Sequence, residues 1–300
     1  MIPQPGAHGG DGHRLATALG VHPDAVLDLS VSLNPFAPPV APLIAEHAGA
    51  VRAYPDPAKA TAAVADALGV AIDRVLLTNG GAEAIALVAA ERPVGWVDDP
   101  DFSLYRRSLR TISREGPRWR SNPHNPTGQL ARATDSAAIW DEAFYPLATG
   151  QWTRGDNAIV VGSLTKLFAC PGLRVGYVLA PDAATIDSLR ASQPQWSVSA
   201  LACAIIPTML TQSDLPAWAT AIRNARLDLT ALLEEHDLEA EPSDANYVLV
   251  RAAPGLRTHL ATHAVLVRDT ASFGLTDGVR IAVPDADGID RLHNAMKGYR

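Results

Sequence analysis

Short continuous apolar runs bounded by turn residues alternate with segments whose apolar positions recur every three or four residues, through the first two thirds of the chain. The first kind of run is what a strand buried on both faces requires, and the second is an amphipathic helix. On that basis 26–31, 75–78, 94–97, 159–162 and 175–179 are predicted strands, while 82–91 and 102–112 are predicted helices. Such an alternation predicts a parallel sheet covered by helices, an α/β fold. From 215 to 236 the spacing of Trp218, Ile222, Leu229 and Leu232 gives a long amphipathic helix, after which the pattern changes. Strands at 247–250, 265–267 and 279–283, with helices at 255–263 and 288–297, then form a second, smaller α+β unit. Pro35, Pro38, Pro39 and Pro42 crowd the exit of the first strand and predict a linker there. The stretch SREGPRWRS at 113–121 reads as too polar for a buried strand. No internal repeat, heptad or low-complexity tract interrupts the pattern.

Composition narrows the class. With 47% hydrophobic and 19% charged residues, 300 residues are enough to bury a substantial core. A net charge of -7 and no run of Lys or Arg exclude the electrostatic footprint of a nucleic-acid binder, leaving small molecules or another protein as partners. Cys170 and Cys203 stand far apart without a CxxC neighbour, which argues against a disulfide framework or a zinc site and fits a reducing cytoplasm. The first residues lack the order of a signal peptide, and the apolar run 201–210 is too short for a membrane span and contains Pro207. A soluble cytoplasmic protein is expected. His259 and His263 lie four apart on a predicted helix, but without an HExxH frame they are expected to be exposed histidines, and no metal site is predicted.

The chemistry concentrates in a few motifs. In GSLTKLFACPGLRVGY, Lys166 follows Ser163 by three residues and precedes Arg174 by eight, so a hydroxyl and a guanidinium can hold a phosphate while the amine meets an aldehyde. TNGGAEAI leaves a predicted strand and opens a helix, where Gly80, Gly81 and Ala82 can offer backbone donors to an anion. The proline-stiffened NPHNPTG can hold the Asn125 amide toward a phenolic oxygen. In WDEAF, Asp141 can pair with a protonated ring nitrogen, and Phe102 in DPDFSLYRR can stack on a ring face. Together these point to pyridoxal phosphate. Taken singly, each has an ordinary reading as a sharp turn, a polar turn, a solvated carboxylate or a core aromatic.

The order TNGGAE, PDF, NPHNPTG, DEAF, SLTK and PGLR resembles that of fold-type I pyridoxal phosphate enzymes of the class I and II aminotransferase group. Within that group the chain is most similar to threonine-phosphate decarboxylases of cobalamin biosynthesis and to histidinol-phosphate aminotransferases. The N-terminal HGGD with His8, the following LDLSVSLNPFAPP with Asn34, and Phe144 in place of the tyrosine of DEAY favour the first subgroup. The resemblance implies a three-layer α/β/α large domain over 37–213 that binds pyridoxal 5'-phosphate, with a small α+β domain built from 1–36 and 214–300. It implies that Lys166 is the Schiff-base lysine and proton shuttle, Asp141 the partner of the ring nitrogen, Asn125 the contact of the ring hydroxyl and Phe102 the stacking ring. Gly80, Gly81, Ala82, Ser163 and Arg174 are implied phosphate contacts, with Tyr54 of AYPDP reaching the phosphate of a neighbouring subunit in a homodimer with shared active sites. Arg280, Arg268, Asn34 and His8 are implied substrate contacts, the substrate being a small amino acid or a phosphorylated amino acid.

Which bond breaks then depends on which group lies out of the ring plane, giving decarboxylation or transamination. One departure from the family pattern stands out: the chain is shorter than its relatives between Phe102 and Asn122 and again between Gly128 and Asp141. Either the large domain is trimmed at an edge or the floor of the site differs. The departure opens a second reading, a cofactor-binding protein that has lost efficient turnover and serves as a binding or assembly partner.

Overall fold

In a computed structural model, which describes residues 2–6, 8–155 and 157–299, the predicted apolar runs become strands of two sheets. In chain order the strands are β1 (Leu27–Leu29), β2 (Val75–Asn79), β3 (Val94–Val97), β4 (Thr111–Ile112), β5 (Arg118–Ser121), β6 (Ile139–Asp141), β7 (Ile159–Ser163), β8 (Val175–Leu179), β9 (Tyr247–Val250), β10 (Val265–Asp269) and β11 (Val279–Ala282). The larger sheet runs β2-β8-β7-β6-β5-β3-β4, parallel except for β8, which is antiparallel to both its neighbours. The smaller sheet runs β1-β10-β11-β9.

Both faces of the larger sheet are apolar, so it must be covered twice. Leu77, Trp140, Val160 and Tyr177 pack on one side against the helices Ala58–Leu68 and Ala200–Thr211. Leu76, Ile159, Val161 and Val178 point to the other side, onto the helices Gly80–Glu91 and Ala183–Ser192. The result is the expected three-layer α/β/α arrangement. The smaller sheet has its own core, where Val248, Val267 and Ile281 meet Leu229, Leu260 and Leu292. The helix Leu215–Glu234 belongs to both cores: Leu215, Trp218 and Ile222 are buried in the first, and Ala225, Leu229 and Leu232 in the second.

The structure corrects the reading of the polar stretch. Residues 118–121 form β5, in the interior of the larger sheet between β3 and β6. Trp119 and Ser121 are buried on one face, whereas Arg118 and Arg120 lay their stems along the other and carry their charges to Asp98, at 2.6 Å, and Asp135, at 3.0 Å. The predicted helix at 102–112 is also cut short: only Ser103–Ser108 is helical, and 111–112 forms β4. β3 pairs with β4 through Val94 and Gly95 and with β5 through Trp96 and Val97, so the link between β4 and β5 passes over β3. A Cβ on Gly116 would lie 2.8 Å from Gly95 Cα, a contact that only a glycine avoids.

That crossing lies within the first of the two short stretches. The second falls in a connection between β5 and β6 without a helix, where Arg154 Nη2 donates to the carbonyls of Arg132 and Asp135 at 3.1 and 2.9 Å.

Residues 30–40 are outside helix and strand, and Pro42 sits in the first turn of the helix Ala41–Glu46. Cys170 and Cys203 are free and buried. No helix among the described residues is long and apolar enough to cross a membrane, and no group of three or more His, Cys, Asp or Glu side chains there could hold a metal. His263 is exposed, but His259 is half-buried, with Nε2 2.9 Å from the Ala295 carbonyl.

Candidate active site

The C-terminal ends of β5, β6 and β7 converge on a cavity of about 360 Å³, the position where open α/β sheets hold their ligands. β6 ends at Asp141, β7 ends at Ser163 and runs into the turn Leu164–Leu167 that carries Lys166, and β5 ends at Ser121 just before Asn125. From the smaller sheet, Arg268 on β10 and Arg280 on β11 close the opposite wall. His8 and Phe102 line the rim, in edge contact at 5.6 Å between ring centroids.

The turn after β2 is built for close approach. Gly80 has φ +75, and a Cβ there would lie 2.5 Å from Arg174 Nη2. Gly80 itself lies behind the cavity wall, whereas Gly81, Ala82, Ser163 and Arg174 line it. Backbone amides at the first turn of the helix Gly80–Glu91 thus share one corner with a hydroxyl and a guanidinium, the donor set of a phosphate cradle.

Lys166 lines the cavity. Burial, reinforced by Arg280, Arg268 and Arg174, lowers its pKa from 10.5 to about 8, so a useful fraction of the amine is neutral and nucleophilic near physiological pH. Asp141 accepts from Tyr105 Oη at 2.8 Å and from the Ala143 amide at 3.0 Å. Burial nonetheless raises it to about 6, with Asp101 adding to the rise. A cationic partner inside the cavity would relieve that burden.

Arg268 and Arg280 are direct cross-strand partners of the β10–β11 pair, 4% and 3% exposed. Like charges at such positions repel, and burial lowers the pKa of both, although both remain cationic at neutral pH. Arg280 Nη1 donates to Asn125 Oδ1 at 2.6 Å and the guanidinium lies 4.5 Å from the Tyr247 ring centroid, both neutral neighbours. Among the described residues Arg280 Nε has no hydrogen-bond partner. Arg268 lies 4.5 Å from the Phe273 ring centroid.

Besides Gly80, one further expected contact does not line the cavity. Asn34 does not line the cavity; its amide donates to the Leu167 carbonyl and accepts from the Phe36 amide, both at 3.0 Å, so it braces the Lys166 turn from behind. Tyr54, expected to reach a neighbouring subunit, is 78% exposed and does not line this cavity; its ring lies 4.5 Å from that of Trp196, which lines a separate outer groove.

Three residues escape a reading by motif. Tyr105 supports Asp141 and meets Phe102 edge-on at 5.7 Å. Asp101, 7% exposed, accepts from Ser121 Oγ at 2.5 Å and from the Phe102 amide at 2.7 Å. His124 bridges two loops, Nε2 donating to the Pro100 carbonyl at 2.6 Å and Nδ1 lying 2.8 Å from Thr127 Oγ1, while burial lowers its pKa and so favours the neutral ring. The available signals were the Asp immediately before Phe102 and the Tyr three residues after it, on one helical face.

Residues 119–296 match the family model for aminotransferase class I and II. The chain is 30% identical to threonine-phosphate decarboxylase from Salmonella typhimurium, over 97% of this chain and 96% of that protein. It is 29% identical to histidinol-phosphate aminotransferase from Natronomonas pharaonis, over 89% of each. Among solved structures, histidinol-phosphate aminotransferase from Sinorhizobium meliloti, in complex with pyridoxal-5'-phosphate, superposes with a TM-score of 0.82 at 18% identity, covering 98% of this chain and 94% of that one. L-threonine-O-3-phosphate decarboxylase from Porphyromonas gingivalis gives 0.76 at 21% identity, over 91% and 98%. At these identities the structural likeness establishes the fold.

Proposed function

The chain belongs to the class I and II aminotransferase family, and from that premise we propose that it is a pyridoxal phosphate enzyme acting on a small amino acid that carries a second anionic group. The observation that carries this reading is the pairing of Arg268 with Arg280 at the cavity wall. Two buried guanidinia in register destabilise each other until negative charge arrives, and one carboxylate leaves part of that charge uncompensated. A phosphorylated amino acid supplies a carboxylate and a phosphate. Among such substrates threonine phosphate is favoured by the 30% identity to a threonine-phosphate decarboxylase over nearly the full length.

The residues present fit the cofactor. Gly81 and Ala82 with Ser163 and Arg174 would hold its phosphate, with Gly80 admitting the Arg174 guanidinium. Asp141 would hold the ring nitrogen, Asn125 the ring hydroxyl and Phe102 the ring face, while Lys166 would be the covalent anchor. When bound, the cofactor supplies an electron sink for the charge left at the substrate Cα. Lys166 Nζ, near neutrality at about 8, takes and returns a proton at that carbon. Arg280 and Arg268 would hold the two anionic groups and thereby set the orientation of the substrate at its Cα.

We take the protein to be a homodimer with shared active sites, a reading supported by Tyr54, whose ring is largely exposed and does not line the cavity of its own chain. We also take 37–213 as the large domain, 1–36 with 214–300 as the small one, and the cytoplasm as the compartment.

The runner-up is transamination of the histidinol-phosphate type, supported by 29% identity to such an enzyme. The reading without turnover is disfavoured because β5, in the shortened region, still delivers Ser121 and Asn125 to the cavity. To decide, the cofactor-loaded protein is mixed with threonine phosphate and, separately, with glutamate. Carbon dioxide and an amino alcohol phosphate from the first are expected. Loss of the aldehyde band with glutamate alone would favour the transferase, and no change with either would overturn the proposal.

A further inference from the structure

A buried acid that neither the cofactor nor the substrate reading uses lies behind Phe102. Asp101 Oδ1 accepts from Ser121 Oγ at 2.5 Å and from the Phe102 amide at 2.7 Å, and Oδ2 accepts from the Ser121 amide at 3.1 Å. With its own proton committed to Asp101, Ser121 Oγ turns a lone pair to the Asn125 amide, which donates to it at 2.8 Å. Asn125 in turn presents Oδ1 to Arg280 Nη1 at 2.6 Å. One continuous line of hydrogen bonds therefore runs from a buried carboxylate at the larger sheet to a guanidinium on the smaller one. Each member is at most 7% exposed, so water does not substitute for a missing link.

We propose that Asp101 is a positioning residue: through Ser121 it fixes the Asn125 loop, and through Asn125 it sets the aim of the Arg280 anion clamp. The geometry requires an acceptor at Asp101. An ionised carboxylate has no proton to offer, so the Ser121 hydroxyl must donate to it and cannot point its hydrogen at the Asn125 amide. The same carboxylate faces Tyr105, Asp141 and Tyr247 across the site, with Arg120 as a cationic neighbour. Its negative charge thus reaches the region where the cofactor ring would lie. Both effects are absent from a residue that merely fills space.

The inference rests on the cofactor reading above, and its test separates the two. Wild type, Ser121→Ala, Ser121→Thr and Asp101→Asn are loaded with pyridoxal phosphate. Inorganic phosphate is then titrated into each while the visible band is followed, and the band midpoint is measured against pH. Ser121→Ala is expected to bind phosphate about tenfold more weakly than wild type, the size of a lost hydrogen bond to a charged network. Ser121→Thr, which keeps the hydroxyl, restores the wild-type affinity. Asp101→Asn lowers the band midpoint, because a negative charge that favours the protonated chromophore is gone. Wild-type phosphate affinity in Ser121→Ala, equal weakening in Ser121→Ala and Ser121→Thr, or an unmoved midpoint in Asp101→Asn would overturn the positioning role alone. A wild-type protein that takes up no cofactor would overturn the cofactor reading and this inference with it.

Discussion

Tyr105 donates its hydroxyl to Asp141 Oδ2 at 2.8 Å, from the short helix after β3 to the end of β6. A hydrogen bond to the ionised form holds a carboxylate pKa down, against the burial that raises Asp141 to about 6. Removing the hydroxyl in Tyr105→Phe leaves burial opposed by one donor fewer. The Asp141 pKa then rises, and the acid limb of the kcat profile moves up by about one pH unit, the equivalent of one charged hydrogen bond. A profile superimposable on wild type would refute the link.

Lys166 is held at about 8 by burial and three arginines, so its neutral fraction grows as pH rises through that value. Uptake of pyridoxal phosphate by the apoprotein requires the neutral amine. Its rate, followed by the appearance of the visible band, is expected to increase with pH to a midpoint near 8. A midpoint near the ordinary value of 10.5 would show that the surrounding guanidinia do not act on the amine.

Gly80→Ala and Gly20→Ala separate strain from crowding. Both positions have left-handed φ, +75 and +70, but only Gly80 would push its Cβ onto Arg174, whereas Gly20 has nothing within 4 Å. Each substitution is expected to cost about 1 to 2 kcal/mol of stability from backbone strain, read by urea denaturation. Only Gly80→Ala displaces the guanidinium, so only it weakens cofactor binding, by about tenfold or more in equilibrium dialysis.

Phe144 lines the cavity and meets Tyr247 edge-on at 5.2 Å. It brings no hydroxyl to the place where a ring oxygen would be stabilised in its ionised form. Phe144→Tyr is therefore expected to lower the pH midpoint of the cofactor's visible band. An unchanged or higher midpoint would contradict the assignment of Phe144 to that side of the ring.

The α/β class, most strands and the groups around Lys166 were legible because each rests on local chemistry: an apolar run, a glycine pair, a proline-stiffened turn. β5 was not, because two of its four residues are arginines whose charges are discharged onto Asp98 and Asp135, residues identified only by folding. The period-two placement of Trp119 and Ser121 was the signal that remained. Arg268 and Arg280 could be named from sequence, yet their direct opposition depends on the register of β10 with β11. Asp101 and Tyr105 were hidden for a similar reason, since Ser121 and Asp141 come from other strands. Asn34 shows the reverse: its motif was visible, but both ends of its amide are occupied by backbone, and it braces the turn instead of facing the cavity.

The helix Leu215–Glu234 acts as a common axle for the two halves of the molecule. Because its first half is set in one core and its second half in the other, the sheet bearing Lys166 and the sheet bearing Arg280 cannot slide past each other without bending twenty residues of continuous helix.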